Sequence, residues 1–226
     1  MKNKPHLQVS SKPSVSTQTI AIYASGALVL AASIFGLIKW NLGPHSPPNG
    51  IKEYYFSPLE DNFYENPSNW LPDYPGTKIE SGTKIIIQGL AYITHYQLEV
   101  LGEIQVSMDG MLFSSDGGIL VSSQGKVSNE GELVLKTIDN RGELNNQMSA
   151  TINVHELTVH TDALTNNLQG ATMTINKRLL NQGSFNNYGH CNVQMDFDNQ
   201  ADFNQIRGGA LLVNGMEVEM EVEDGI

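Results

Sequence analysis

Asn145-Asn146-Gln147-Met148-Ser149-Ala150-Thr151-Ile152-Asn153-Val154 returns 21 residues later as Asn166-Asn167-Leu168-Gln169-Gly170-Ala171-Thr172-Met173-Thr174-Ile175. A further 20 residues bring Asn186-Asn187-Tyr188-Gly189-His190-Cys191-Asn192-Val193-Gln194-Met195. After 18 more comes Asn204-Gln205-Ile206-Arg207-Gly208-Gly209-Ala210-Leu211-Leu212-Val213. Each stretch opens on an amide pair and reaches an apolar-x-apolar pair seven residues after its start. Four coincident offsets define an internal repeat with a period near 20 residues. That period, carried on short strands, predicts a parallel β-solenoid whose coils stack at about 4.8 Å. The amides Asn145, Asn146, Asn166, Asn167, Asn186, Asn187 and Asn204 would lie above one another and share hydrogen bonds along the stack.

Outward from this core the pattern holds in looser form. Gly102, Gly110, Gly118, Gly125, Gly131 and Gly142 each open a Gly-x-apolar unit. Short alternating runs recur at Leu98/Val100, Ile104/Val106/Met108, Leu133/Leu135, Met173/Ile175 and Val193/Met195/Phe197. The last proline is Pro75, and a chain without proline can donate every amide to a strand ladder. Between residues 151 and 160 the alternation slips from even to odd, Ile152 and Val154 giving way to Leu157 and Val159. A bend that keeps inward positions inward leaves that mark. The fold class is therefore all-β, a short parallel β-solenoid over residues 79–215 with room for roughly seven coils and a height near 35 Å. A β-sandwich or jelly roll is the alternative arrangement of the same strands.

A stack has two ends to cover. Residues 51–78 hold seven aromatics, Tyr54, Tyr55, Phe56, Phe63, Tyr64, Trp70 and Tyr74, and predict an N-terminal cap. At the other end Val213-Asn214-Gly215-Met216 signals a hairpin. Residues 216–226 follow as an acidic capping strand and tail whose alternating Glu face opposes edge-to-edge pairing.

Before the cap the chain changes character. Residues 20–38 read IAIYASGALVLAASIFGLI, nineteen positions without a charge. That run is long enough to cross a bilayer at about 1.5 Å per residue. Lys39 and Trp40 follow it, and no small-x-small cleavage site ends it, so residues 20–40 are expected to form an uncleaved transmembrane anchor. Lys2, Lys4 and Lys12 precede the span, which places residues 1–19 in the cytoplasm. Residues 41–50 form a Pro/Gly linker. All 24 acids but only nine of the 13 bases lie beyond the span. Small residues at i and i+4 within it, such as Ala27 and Ala31, would support helix pairing. Oligomerisation is thus expected through the helix or the solenoid ends.

Composition narrows the function. Charged residues are 16% of the chain against a typical figure of roughly 25%; Gly and Asn, 21 each, fill the gap. Turn formers in that number argue against a helical bundle. A net charge of −11 excludes nucleic-acid binding through a phosphate-neutralising face. One cysteine, Cys191, excludes an intrachain disulfide and a multi-cysteine metal site. No usable Asn-x-Ser/Thr site occurs, and with no disulfide either a bacterial envelope is favoured over a eukaryotic secretory route.

The chain resembles the β-solenoid repeat domains of bacterial envelope proteins, the adhesin and filamentous-haemagglutinin-like kind. The resemblance rests on Gly125-Lys126-Val127-Ser128-Asn129, on the units from Gly142 to Asn146 and from Gly183 to Asn187, and on the lead-in from Asn69-Trp70 to Ile85-Ile86-Ile87. It covers most of residues 60–215 and implies exported, repetitive architecture.

Candidate sites are few. His155 and His160 straddle the proposed bend and read as surface histidines rather than a metal pair. His190 and Cys191 alternate faces, leaving Cys191 as an apolar filler with no catalytic role. Asp196, Asp198 and Asp202 cluster in sequence and are the one Ca²⁺ candidate, although the run lacks the glycine and terminal Glu of an EF-hand. With a cleft and Lys177, Arg178 or Arg207 beside them, the same acids would serve as the carboxylate pair of a lyase or hydrolase. Tyr54, Tyr55, Phe56, Tyr64, Trp70 and Tyr74 are expected chiefly to pack the cap, with a sugar-stacking or partner-protein surface as the other uses. No phosphate loop, nucleophile elbow or dinucleotide fingerprint occurs, and no cofactor is expected. The function expected is non-enzymatic: a membrane-anchored acidic solenoid in the bacterial cytoplasmic membrane, N-terminus inside, serving structure or binding an envelope protein or glycan. The alternative is a tethered polysaccharide lyase or hydrolase on the same scaffold.

Overall fold

The computed structural model describes residues 50–206 and 208–218. The expected anchor 20–40, the expected cytoplasmic tail 1–19, all of the expected linker but Gly50, Arg207 and the end of the acidic segment, 219–226, lie outside them. Among the described residues no helix is long and apolar enough to cross a membrane.

The described chain is a parallel β-solenoid of about seven turns. Each full coil lays down three strand segments, and like segments stack in register to make three faces. The first face runs from Lys52–Phe56 through Thr83–Ile87, Glu103–Val106, Lys126–Asn129, Glu143–Asn146, Leu164–Asn167 and Ser184–Asn187 to Phe203–Gln205. The second carries Leu90–Tyr92, Met111–Phe113, His190–Val193 and Ala210–Val213, with the first halves of three long strands between them. The third carries Lys78–Ile79, Gln97–Val100, Gly118–Val121 and Asp196–Asn199, with the second halves of the same strands. These long strands, Glu132–Asn140, Thr151–Val159 and Thr172–Asn181, pass through the bend without a break. In Thr151–Val159 the buried residues are Ile152 and Val154, then Leu157 and Val159, while His155 is exposed at the bend. The phase slip in the sequence marks this corner. In the next coil an extra residue shifts the register between Val154 and Glu156, and Asn176 beside it donates to Asn153 Oδ1 at 2.7 Å.

The core is a set of apolar columns, one residue per coil. Ile85, Ile104, Val127 and Leu144 stand in one, and Leu112, Leu133, Ile152, Met173, Cys191 and Leu211 in another. All are buried, which at about 25 cal/mol per Å² of apolar surface is the main favourable contribution to the stack.

One column changes chemistry halfway. Phe56, Ile87 and Val106 are followed in register by Asn129, Asn146, Asn167, Asn187 and Gln205. Each of Asn129, Asn146 and Asn167 donates one amide hydrogen to the next Asn, at 2.9, 2.9 and 2.8 Å. Its second hydrogen goes to a backbone carbonyl across the corner, Thr151, Thr172 or His190. Burying an amide without partners costs about 1–3 kcal/mol, and the stacked register supplies them. The file begins with an unpartnered acceptor, Asn129 Oδ1, because the rung before it holds Val106. On the outer side of the same strands Asn166 donates to Asn145, Asn186 to Asn166 and Asn204 to Asn186, at 2.8, 2.9 and 3.0 Å. Outward charges also follow the register: Lys84, Glu103, Lys126 and Glu143 alternate in one column, with Lys84–Glu103 at 3.1 Å and Lys126–Glu143 at 3.2 Å.

Small residues mark the corner between the first and second faces. Gly110, Gly131, Ala150, Ala171, Gly189 and Gly209 each precede a registered strand start. A Cβ on Gly131 would meet the carbonyl oxygens of Gly110 and Ser107 at 2.3 Å.

Three expectations need correction. The third repeat aligns two residues earlier than its amide pair suggests: Cys191 and Val193, not Val193 and Met195, lie over Met173 and Ile175. Its corner, Tyr188-Gly189, has two fewer residues than Leu168-Gln169-Gly170-Ala171, so Met195 falls beyond the strand and is 56% exposed. Met108 likewise sits on a corner after its strand has ended, 81% exposed. Gly118 lies inside a strand, with Ile119 buried in place of Leu120.

The ends are covered from within the chain. Lys52–Phe56 is the first rung of the stack rather than a layer outside it, and Trp70–Leu71 pairs antiparallel on its free edge. The hairpin at Asn214-Gly215, φ 54° and 75°, returns Met216–Glu217 antiparallel to Ala210–Val213. Both positive φ values suit a primed turn.

Candidate functional site

The aromatic residues of the N-terminal segment divide by face. Phe56, Tyr64 and Trp70 are buried. The Trp70 ring stands edge-on to Tyr64 at 4.8 Å and to Phe56 at 5.2 Å, and its indole N–H donates to the Tyr64 carbonyl at 2.6 Å. Tyr54 and Tyr74 are partly buried against this cluster or the core behind it. Tyr55 donates to Glu53 at 2.6 Å; that bond first, and burial second, push its phenol up to about 12. Apart from Tyr55, which lies on the outer side of its strand beside Glu53, these rings pack the end of the solenoid.

Phe63 alone of the seven is exposed, at 46%. It meets Tyr92 in a parallel bridge, and Tyr92 stands in register with Phe113. The three rings form a file on the outer side of the second face, with centroids 5.6 and 5.5 Å apart. Alternation along each strand puts Leu90 and Met111 in a second, adjacent file on the same surface. Leu90 is 39% exposed. Between these files and Asp61 lies a groove of about 550 Å³. It exists because residues 57–62 leave the stack: the rung before Leu90–Tyr92 is represented on this face only by Phe63. The loop is pinned by Asn69, which donates to Asp61 Oδ1 at 2.9 Å and to the Asp61 and Phe63 carbonyls. Asp61 also accepts from the Phe63 amide at 2.9 Å, the first cause holding its carboxyl below the usual range.

Behind the groove Glu65 ties the loop to the next coil, accepting from Thr94 Oγ1 at 2.7 Å and Thr94 N at 3.1 Å. Burial opposes its charge, but these bonds outweigh burial and hold the carboxyl below the ordinary range. Glu65 Oε2 and the Tyr96 hydroxyl are buried without well-aligned partners. Burial first, and Glu65 second, push the Tyr96 phenol up.

The other sequence candidates are dispersed. Asp198 pairs with Arg178 at 3.3 Å, while Asp196 and Asp202 are exposed. Among the described residues no three His, Cys, Asp or Glu side chains assemble as a metal-holding group. Lys177 is paired with Glu156. His160 Nε2 lies 2.7 Å from Asp139, His155 is exposed, and His190 and Cys191 point to opposite sides of their strand. Burial pushes the Cys191 thiol up to about 12. Sequence reading singled out the aromatic segment but missed Tyr92 and Phe113. The signal was the pair Leu90-x-Tyr92 and Met111-x-Phe113, two Gly-led strands with large apolar residues at both outward positions. No protein-family profile, curated protein or solved structure matches the chain.

Proposed function

We propose that this chain is a non-enzymatic, single-pass envelope protein that holds an acidic β-solenoid on the outer side of a bacterial cytoplasmic membrane as a binding module. The observation that carries the reading is the uncharged run of residues 20–38, with Lys2, Lys4 and Lys12 before it and every acid of the chain after it. The resemblance of the Gly-x-apolar-x-Asn units to adhesin-like solenoid repeats supports export. Binding is supported by the groove beside Phe63, Tyr92 and Phe113, because a large outward apolar surface on a rigid face is a usual place for a partner. The experiment is a fusion of alkaline phosphatase after residue 218, expressed in a bacterium beside the matching green fluorescent protein fusion. Phosphatase activity in a carbonate-resistant membrane fraction, with a dark fluorescent fusion, is the expected result. A bright fusion in the soluble fraction overturns the reading. Release of reducing ends from envelope polysaccharides by the purified chain would replace it with the tethered glycan-cleaving enzyme.

A further inference from the structure

We propose that the groove between Phe63 and Met111 docks an extended protein segment carrying an aliphatic or aromatic side chain beside a Lys or Arg. The proposal deepens the binding-module reading and rests on it. Three observations choose this occupant. The walls are Phe63, Leu90, Tyr92, Met111 and Phe113, so what enters is apolar. The rings are turned on one another: Tyr92 and Phe113 stack at 23°, and Phe63 meets Tyr92 edge-on at 68°. Packed in this way they line a cleft rather than present the flat ring face that a sugar stacks on. The rim is acidic. Asp61 lines the groove, Glu132 follows Met111 in register on the next rung, and no basic side chain of the described residues lines it. Net charges of this sign steer and hold cationic partners and disfavour acidic ones.

The test uses the full chain in detergent and three fluorescein-labelled probes read by anisotropy. One is a Gly/Ser peptide containing Lys-Leu-Trp-Lys, the second replaces both Lys by Glu, and the third keeps both Lys but replaces Leu-Trp by Ser-Gly. Saturable binding of the first alone is expected, weakening as salt rises. Phe113→Ser and Met111→Glu should each weaken it at least tenfold, and Asp61→Asn with Glu132→Gln severalfold. Circular dichroism and melting of each variant separate loss of the groove from loss of fold; Met111→Glu, at a half-buried outward position, serves where Phe113→Ser unfolds. Equal binding of the Lys and Glu probes, or binding unchanged by the folded groove variants, overturns the proposal. So does saturable binding of chito-oligosaccharide with none of the peptides, which assigns the groove to glycan. The measurement does not depend on where the chain resides in a cell, so a failed localisation result and a failed docking result are distinct.

Discussion

Asn146 donates to Asn167 from one coil to the next at 2.9 Å, while the neighbouring outer pair runs the other way, Asn166 donating to Asn145 at 2.8 Å. Two amide files on one set of strands thus have opposite polarity. The inner one is committed to the core, where its second hydrogens also tie the corner carbonyls. Replacement of Asn167 by Leu removes the acceptor of Asn146 and the donor to Asn187. It also frees the His190 carbonyl. Unpartnered buried groups cost about 1–3 kcal/mol each, so Asn167→Leu is expected to destabilise by several kcal/mol in urea titration. Asn166→Leu, on the half-exposed outer file, should cost less than about 1.5 kcal/mol.

Glycine at the corner between the third and first faces, before Glu143–Asn146, also sets a steric limit. A Cβ at Gly142 would meet the carbonyl oxygens of Gly125 and Ser122 at 2.3 Å, atoms that the stacked backbone cannot move apart cheaply. Gly142→Val is therefore expected to cost at least 2–3 kcal/mol, of order an overpacked core. A melting-temperature drop of several degrees would register it, and an unchanged melt would show that the coils are not so closely stacked there.

Cys191 reports on opening of the core. With the thiol buried and pushed up to about 12, reaction with a neutral maleimide at pH 7 should be negligible in the folded chain and fast in urea. The labelling rate should follow global unfolding; rapid labelling of the native protein would contradict the interior placement of His190–Val193.

Acid should loosen the loop that shapes the groove. Glu65 has its carboxyl held below the ordinary value of 4.5 in the fold, so it contributes stability at pH above that value. The contribution is lost as pH falls through the folded value. Glu65→Gln should flatten this part of the acid limb of the stability curve while lowering stability at pH 7. Unaltered curves would show that the Glu65–Thr94 tie carries no such weight.

Much of the architecture was legible in local pattern. The amide pairs marked the first face because a buried Asn must repeat wherever its neighbour does, and the slip at His155 marked the bend. Asn214-Gly215 marked the closing hairpin. What local pattern cannot carry is corner length: Met195 looks like a third inward residue until the short turn at Tyr188-Gly189 shifts the register. Nor does composition tell Phe63 from Tyr64, adjacent rings of which one lines the groove and the other lies in the core. The file from Phe63 through Tyr92 to Phe113 exists only across coils, so it emerges only once register is known.

Paired spin labels test the linear stacking of successive coils most directly. Glu53, Lys126, Leu164 and Ser184 lie in one outward column of the first face, spaced by the register of adjoining rungs. With one label fixed on Glu53→Cys and the other on Lys126→Cys, Leu164→Cys or Ser184→Cys, linear stacking predicts backbone separations of about 14, 24 and 29 Å, one strand spacing per coil. Distances that do not rise in that order, or that place the Glu53 and Ser184 labels side by side, would contradict it.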